Sequence, residues 1–415
     1  MRNRSTARTR ELKEAIVASF SLHPGEAPQG LDGFTEADWQ SVFWWLDISG
    51  MAIYCLDNMQ RIEAESLMPL EVKAGLAERS QRNCFRTQAL REEAFTLAGL
   101  FESANIPYAL LKGITLTPES VSDSALRCQA DLDFLVSKES MDLAIECVRR
   151  LDYRLHAKSG NTLELRTGEA GLPDMALMYS PGAQRALELH LLPEENEKHS
   201  LLTRRTVRDF DGAFIATLSP ADILVQQAQH LLKHLCGEHT RLSWVLEFWR
   251  HVEARRNDLE FWAQVKILAA EEMNGDLALG AALWMAGEFF GGASMELPPQ
   301  WRAEALPGGI RQWLTLYARD LLLSDSTGSK LYVLLRSEVP CKAEDIKKTH
   351  RFLFPHYLPA RITQPRTGER WYERSMRYLV EAEFIFHRMQ FHVVEGIRYA
   401  IEASRWRRDA VKYEQ

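Results

Sequence analysis

Cysteine is scarce and scattered. The six residues Cys55, Cys84, Cys128, Cys147, Cys236 and Cys341 are spread over 415 positions, and none forms a closely spaced pair. That spacing excludes a zinc-finger or Cys-x-x-Cys redox motif and fits reduced thiols in a cytoplasmic protein. No run of about 18 consecutive apolar residues occurs, so no membrane-spanning helix is expected. Basic excess is also absent. Lys and Arg number 50 against 57 Asp and Glu, for a formal net charge of -7. A protein that wraps nucleic acid would be basic overall, so nucleic acid is a disfavoured partner. Glycine-rich loops of the P-loop or dinucleotide kind are missing, and no Ser-His-Asp order can be recognised. The N-terminus carries Arg2, Arg4, Arg8 and Arg10, but Glu11, Lys13 and Glu14 interrupt any apolar core, which predicts a basic arm leading into a helix rather than a signal peptide.

What is present is an ordinary globular composition, 46% hydrophobic and 26% charged. The length allows two or three domains. Residues 35–59 read as a buried helix opened by Thr35 and Asp38, with Trp39, Val42, Phe43, Leu46 and Ile53 at helical spacing. A long helical pattern over 70–104 ends at Asn105-Ile106-Pro107. The apolar run Tyr108-Ala109-Leu110-Leu111 then predicts a buried strand, Asp131–Val136 a second, and Asp152–His156 a third. Ser137 is the expected cap of a helix through Leu151. Residues 175–192 read as a hairpin around Ser-Pro-Gly. From Ser219 onward the pattern is helical. These expectations give an α+β chain divided into a helical N-terminal region over 1–69, a strand-bearing core over 70–215 and a helical C-terminal region over 216–415.

The informative segment is Asp131-Leu132-Asp133-Phe134-Leu135-Val136. Side chains alternate across a strand, so Asp131 and Asp133 share one face while Leu132 and Phe134 pack from the other. Two neighbouring carboxylates repel when ionised, and a divalent cation between them removes the conflict. Oxygen ligands of this kind suit Mg²⁺ or Mn²⁺. In Leu187-Glu188-Leu189-His190-Leu191 the same alternation sets Glu188 and His190 against three leucines. If that strand lies near the first, Glu188 completes a three-carboxylate site able to hold two metal ions. A bland reading stays open, in which the carboxylates pair with arginine or cap helices.

The ordered motifs LLKG at 110–113, an arginine four residues ahead of DLDFLV, and LELH at 187–190 resemble the uncharacterised nucleotidyltransferase family of the DNA polymerase beta-like superfamily. His230 and His234, followed by the Arg241–Glu247 segment RLSWVLE, extend the resemblance, which covers about residues 85–260. It implies a small mixed sheet with flanking helices, metal ligands on neighbouring strands, and Mg²⁺ or Mn²⁺ as cofactor. Carried over, Asp131 and Asp133 look like the metal-binding pair and Glu188 like the third carboxylate. Gly113 sits at the tight turn beside the nucleotide, and Lys112 and Arg127 are candidate phosphate contacts. The implied activity is transfer of an NMP group from an NTP to a hydroxyl or phosphate acceptor, on a small molecule, sugar or protein, with release of pyrophosphate. The superfamily's Gly-Ser is replaced by Lys112-Gly113-Ile114, which motivates a second reading as a catalytically degenerate binding or regulatory module.

His190, His230, His234 and Arg241 are candidate cleft-lining residues. For the histidine pair, four apart on one helical face, ordinary packing and metal ligation are the alternatives. For Arg241 the alternative is an ion pair with Glu247 or another acid. The C-terminal segment interleaves Trp371, Tyr378, Phe386 and Trp406 with arginines. A long amphipathic helix packed on the body or a partner is preferred there over base stacking or membrane contact, because Glu381, Glu383, Glu395 and Glu402 dilute the charge.

Overall fold

The computed structural model describes residues 2–23, 25–26, 28, 30–167, 178–180, 185–192, 201–291, 298–326, 328–340 and 370–413. Four helices come first: α1 (Arg2–Ser19), α2 (Glu36–Ile48), α3 (Ala52–Arg61) and α4 (Leu70–Ser103). Thr35 and Asp38 close a reciprocal capping box at the start of α2, as their spacing predicts. The single helix expected over 35–59 is instead two. Gly50, at φ +73°, turns the chain between them, and a side chain there would collide with Ser243.

The sheet is larger than the small one expected. Seven strands follow, namely β1 (Tyr108–Leu111), β2 (Asp131–Ser137), β3 (Arg154–Ser159), β4 (Thr162–Arg166), β5 (Ala186–Leu192), β6 (Thr206–Phe210) and β7 (Ala213–Thr217). Helix α5 (Met141–Arg149) lies between β2 and β3 and begins at Ser140 rather than at the expected Ser137. The strand order is β3-β4-β5-β2-β1-β7-β6. The β2–β5 and β1–β7 pairs are parallel and the rest antiparallel, so the sheet is mixed. β5 is the second strand of the hairpin expected over 175–192. Most of its first arm lies outside the described residues, and its sheet neighbours are β4 and β2.

Alternation sorts the two faces of this sheet. Leu110, Leu132, Phe134, Val136, Leu187 and Leu189 join Leu90, Leu97 and Phe101 of α4 and Ala144 and Val148 of α5 in one buried cluster. Phe101 and Phe134 meet edge to face at 5.3 Å, a geometry that contributes about 1 kcal/mol beyond area burial. The opposite face carries Ala109, Leu135 and the polar residues of β2 and β5, and it looks toward the helices that follow.

Those helices are α6 (Pro220–Leu235), α7 (Leu242–Ala254), α8 (Leu259–Glu271), α9 (Gly275–Phe290), α10 (Gly308–Trp313), α11 (Arg319–Leu322), α12 (Tyr332–Glu338) and α13 (Trp371–Tyr413). Ser219 caps α6 through the Asp222 N–H at 3.1 Å, with Pro220 in the first turn. Helices α1–α3 and α6–α12 share a second hydrophobic cluster that includes Leu12, Trp39, Tyr54, Leu224, Leu246 and Trp313. Helix α13 rests on this body through Glu395, which accepts from Ser329 Oγ at 2.7 Å, and through buried Trp406. No helix among the described residues is long and apolar enough to cross a membrane.

Candidate active site

The chain leaves β1 through a strained corner. Lys112 adopts φ +50°, ψ -158°, a region that costs a side-chain-bearing residue on the order of 1–3 kcal/mol. Gly113 follows at φ +52°, where a Cβ would fall 2.3 Å from Gln129 Nε2. The N–H and hydroxyl of Thr115 both donate to the Lys112 carbonyl, at 2.9 and 2.8 Å, and hold the corner. Leu111 is the cross-strand partner of Asp133, so this turn swings the Lys112 ammonium to within 2.9 Å of Asp133 Oδ1.

On the other side of β2, parallel pairing sets Asp133 opposite Glu188 and Leu135 opposite His190. His190 Nε2 lies 2.8 Å from Asp133 Oδ1 and 3.3 Å from Glu188 Oε2, while its Nδ1 is 3.3 Å from the Thr162 hydroxyl. One ligand atom from each of Asp133, Glu188 and His190 lies within 4.8 Å of the others. The clustered donors are therefore two carboxylates and an imidazole. His190 takes the third position for which the sequence nominates Asp131. The Asp131 carboxyl is outside this group, though it feels the charges of Asp133, Lys112 and Glu188.

The charges here are strongly coupled. Burial works to raise the Asp133 carboxyl, but the Lys112 ammonium and the hydrogen bond from His190 outweigh it and hold the group below the ordinary carboxylate range. Burial and then the Asp133 charge push Asp131 up to about 6. Burial opposes the charged forms of Lys112 and His190. Asp133 and Asp131 outweigh it for Lys112, Asp133 and Glu188 outweigh it for His190, and both groups are raised. Packing two or three acids this tightly is stable only with positive charge among them, which Lys112 and His190 supply and a divalent cation would supply more strongly.

Helix α4 fixes the approach to β2. Its buried Asn83 donates to the carbonyls of Ala125 and Arg127 at 2.6 and 3.0 Å, and Arg86 donates to those of Gln129 and Ala130 at 2.9 and 3.2 Å. This presents Arg127 to Glu247 of α7, with Nε 3.2 Å from Oε2. Glu247 also accepts from the Tyr54 hydroxyl at 3.0 Å. Burial opposes the guanidinium charge, Glu247 outweighs it, and the Arg127 pKa is raised. The acid that the sequence offers to Arg241 is thus taken by Arg127. Arg241 instead sits over the Trp244 ring at 5.8 Å and donates to His239 Nε2 at 3.4 Å. Asn83, Arg86 and Tyr54 are not expected from the sequence. Glu247 is read from the sequence as the end of RLSWVLE and as an acid for Arg241, and its place among the buried Val245, Leu246 and Phe248 fits a buried ion pair with a different arginine.

Between the polar sheet face and helices α6 and α7 lies a cavity of about 310 Å³. Lys112, Arg127 and His190 line it from the sheet side, and His230, Trp244 and Glu247 from the helices, among leucines and Ile223. His230 and His234 pack their rings together at 4.3 Å, and each meets Trp244, at 4.8 and 4.5 Å. Burial drives both imidazoles neutral, with His234 lowered to about 4 and His230 further. His234 hydrogen-bonds the His239 carbonyl through Nδ1 at 3.1 Å and stands behind His230 rather than on the cavity wall. The structure thus gathers Lys112, Arg127, His190 and His230 around one cavity and leaves Arg241 and His234 behind Trp244.

The chain belongs to the uncharacterised nucleotidyltransferase family, whose family model matches residues 35–291. That range runs from the cap of α2 to the end of α9 and contains the whole sheet and cavity. No curated protein matches the chain. Among solved structures, the chain is similar to an antigenic nucleotidyltransferase-like protein from Paracoccidioides brasiliensis at 14% identity, over 46% of this chain and 92% of that one. The TM-score of 0.29 is too low for that likeness to carry an argument.

Proposed function

We propose that the protein is a divalent-cation-dependent nucleotidyltransferase that moves an NMP group from an NTP to a hydroxyl or phosphate acceptor and releases pyrophosphate. The observation that carries this reading is the convergence of Asp133, Glu188 and His190 within 4.8 Å beside Lys112, with His190 and Lys112 reaching the wall of a cavity. The donor set fits Mg²⁺ or Mn²⁺, since carboxylate oxygens predominate. Asp133 and Glu188 would hold the cation, with His190 as third donor and Asp131 as a further carboxylate on the same strand face. A bound cation supplies neutralisation of phosphate charge and makes an acceptor hydroxyl more acidic.

The chain's own groups account for the remaining requirements. Lys112 neutralises Asp133 in the absence of nucleotide, and the same ammonium pairs with phosphate oxygens when a nucleotide enters. The terminal nitrogens of Arg127 have no partner among the described residues and can bind phosphate while Nε stays on Glu247. The acceptor oxygen forms its bond to the α-phosphorus as the bond from that phosphorus to the bridging oxygen breaks. The electron pair leaves with pyrophosphate, and Glu188 takes the acceptor proton. Helices α6 and α7 wall the cavity on the side facing the sheet.

A second reading, as a nucleotide-binding module without turnover, draws on Lys112 and His190 already neutralising Asp133 and on buried Ile114 standing where the superfamily has serine. Incubation with each NTP, Mg²⁺ or Mn²⁺ and a cell extract separates the two. Pyrophosphate release supports transfer, and saturable binding without release supports the module. Glu188 is 30% exposed, so Glu188→Gln should abolish release without lowering the thermal midpoint. Wild-type release from both Glu188→Gln and Asp133→Asn would remove the carboxylate site from the mechanism.

A further inference from the structure

Helix α6 turns several polar side chains toward the cavity, and they fall into two groups. Gln227 hydrogen-bonds Ser120 and His251, and Gln229 donates to the Met273 carbonyl at 3.1 Å, so both are occupied by the protein. Gln226, His230 and Lys233 recur at i, i+4 and i+7 and line the cavity, yet none of their side chains has a hydrogen-bonding partner among the described residues. Lys233 is exposed at the mouth, while Gln226 and His230 are half-buried. Neither residue has a polar atom buried away from water, so the Gln226 amide and the His230 imidazole face the cavity and are available to a ligand. The His230 ring is held in place by Trp244, whose ring it meets at 71°.

The cavity is polarised. Its sheet end carries Lys112 and Arg127, and its α6 side offers the Gln226 amide and the His230 imidazole among apolar side chains, with the Lys233 ammonium at the mouth. We propose that Gln226 and His230 are specificity-determining residues that read the hydrogen-bonding edge of the nucleobase of the NTP, while Lys112 and Arg127 hold its phosphates. A flat, uncharged heterocycle with donors and acceptors on its rim is the ligand chemistry that apolar walls, one amide and one neutral imidazole complement. Burial, reinforced by the charge on Lys112, keeps His230 neutral, so its ring offers one donor and one acceptor. This inference rests on the nucleotidyltransferase reading and adds the orientation of the nucleotide in the cavity.

The test is equilibrium binding, with Mg²⁺ present, of the four NTPs and of inorganic triphosphate to the full chain, to His230→Phe and to Gln226→Leu. Phenylalanine keeps a ring against Trp244 and removes only the polar edge. The expected result is that wild type binds at least one NTP more tightly than triphosphate. Each variant should lose roughly tenfold in affinity for that NTP, the worth of one hydrogen bond, with triphosphate unchanged. Equal weakening of NTP and triphosphate, or no weakening of either, overturns the assignment. If wild type binds triphosphate and NTPs equally, base recognition is wrong and the transferase reading stands. If it binds none of them, the transferase reading falls and the assignment falls with it. Unchanged melting temperatures in the variants establish that folding is not the cause.

Discussion

The Lys112 ammonium stands 2.9 Å from Oδ1 of Asp133, and it reaches that point from a backbone conformation that side-chain-bearing residues seldom adopt. Strain and ion pair are linked. Lys112 cannot relax toward ordinary β geometry without moving its ammonium off an acid that is 1% exposed. The corner is also rigid on its far side, because Gly113 packs against Gln129, whose amide donates to the Asp131 carbonyl at 2.6 Å.

Two substitutions at this position separate the strain from the charge. Lys112→Ala and Lys112→Gly both delete the ammonium and should both abolish nucleotide turnover. Their stabilities should differ in an inverted order. Glycine is ordinarily the less stable of the two by about 0.5–1 kcal/mol, but relief of the strain at φ +50° should make Lys112→Gly the more stable here by about 1 kcal/mol. Urea denaturation of the two variants measures the difference. Alanine as the more stable variant would show that the corner is not strained.

The Arg127–Glu247 pair ties the approach to β2 to helix α7, with Tyr54 of α3 as a third member. Both charged side chains are largely removed from water, at 14% and 4% exposure. Glu247→Gln should destabilise the fold by about 3 kcal/mol, because it leaves the guanidinium buried without a counter-charge. Made in a Tyr54→Phe background, so that no buried hydroxyl loses its acceptor, the double variant Arg127→Met, Glu247→Leu should recover most of that loss, since no charge is then stranded. Denaturation midpoints of the single and double variants complete the cycle. A single variant as stable as wild type would mean that solvent reaches the pair.

What the sequence made legible follows the reach of local pattern. Period-two alternation in 131–136 and 187–191 sets Leu132, Phe134, Leu187 and Leu189 in the core, and it does so because a strand can bury only one side of such a run. The Ser219-Pro220 cap and the Thr35–Asp38 box are readable for the same reason, being contacts within one turn. Register is not local. Nothing in either segment reports that β2 and β5 are adjacent and parallel, which is what sets Asp133 beside Glu188 and delivers His190 to Asp133. Arg127 and Glu247 are 120 positions apart, and their pairing follows from how the segment ahead of β2 meets α7. The size of the sheet has a readable signal outside the expected elements. Asp211-Gly212, both at positive φ, closes the β6–β7 hairpin between two short runs and extends the sheet beside β1.

His251 of α7 gives the pH dependence a defined origin. It is 1% exposed, its Nδ1 donates to Gln227 Oε1 at 3.0 Å, and its Nε2 has no partner among the described residues. Burial lowers its pKa to about 4. Glu119 opposes that fall, while Arg255 and Arg208 support it. An unfolded histidine takes up a proton near 6.5, so between 6.5 and 4 the unfolded state binds one more proton at this residue than the folded state does. Stability is therefore complete above 6.5 and is lost as pH falls through that window, at a rate approaching about 1.4 kcal/mol per pH unit for this one group. His234 and His230 are lowered in the same direction and add to the slope. Glutamine at this position can still donate to Gln227 but does not titrate. His251→Gln should therefore unfold less steeply with acid, its stability falling by about 1 kcal/mol less than wild type per pH unit between 6 and 5. Urea midpoints taken at half-unit steps from pH 7.5 to 4.5 measure both curves. Parallel curves for variant and wild type would show that His251 takes up its proton in the folded protein.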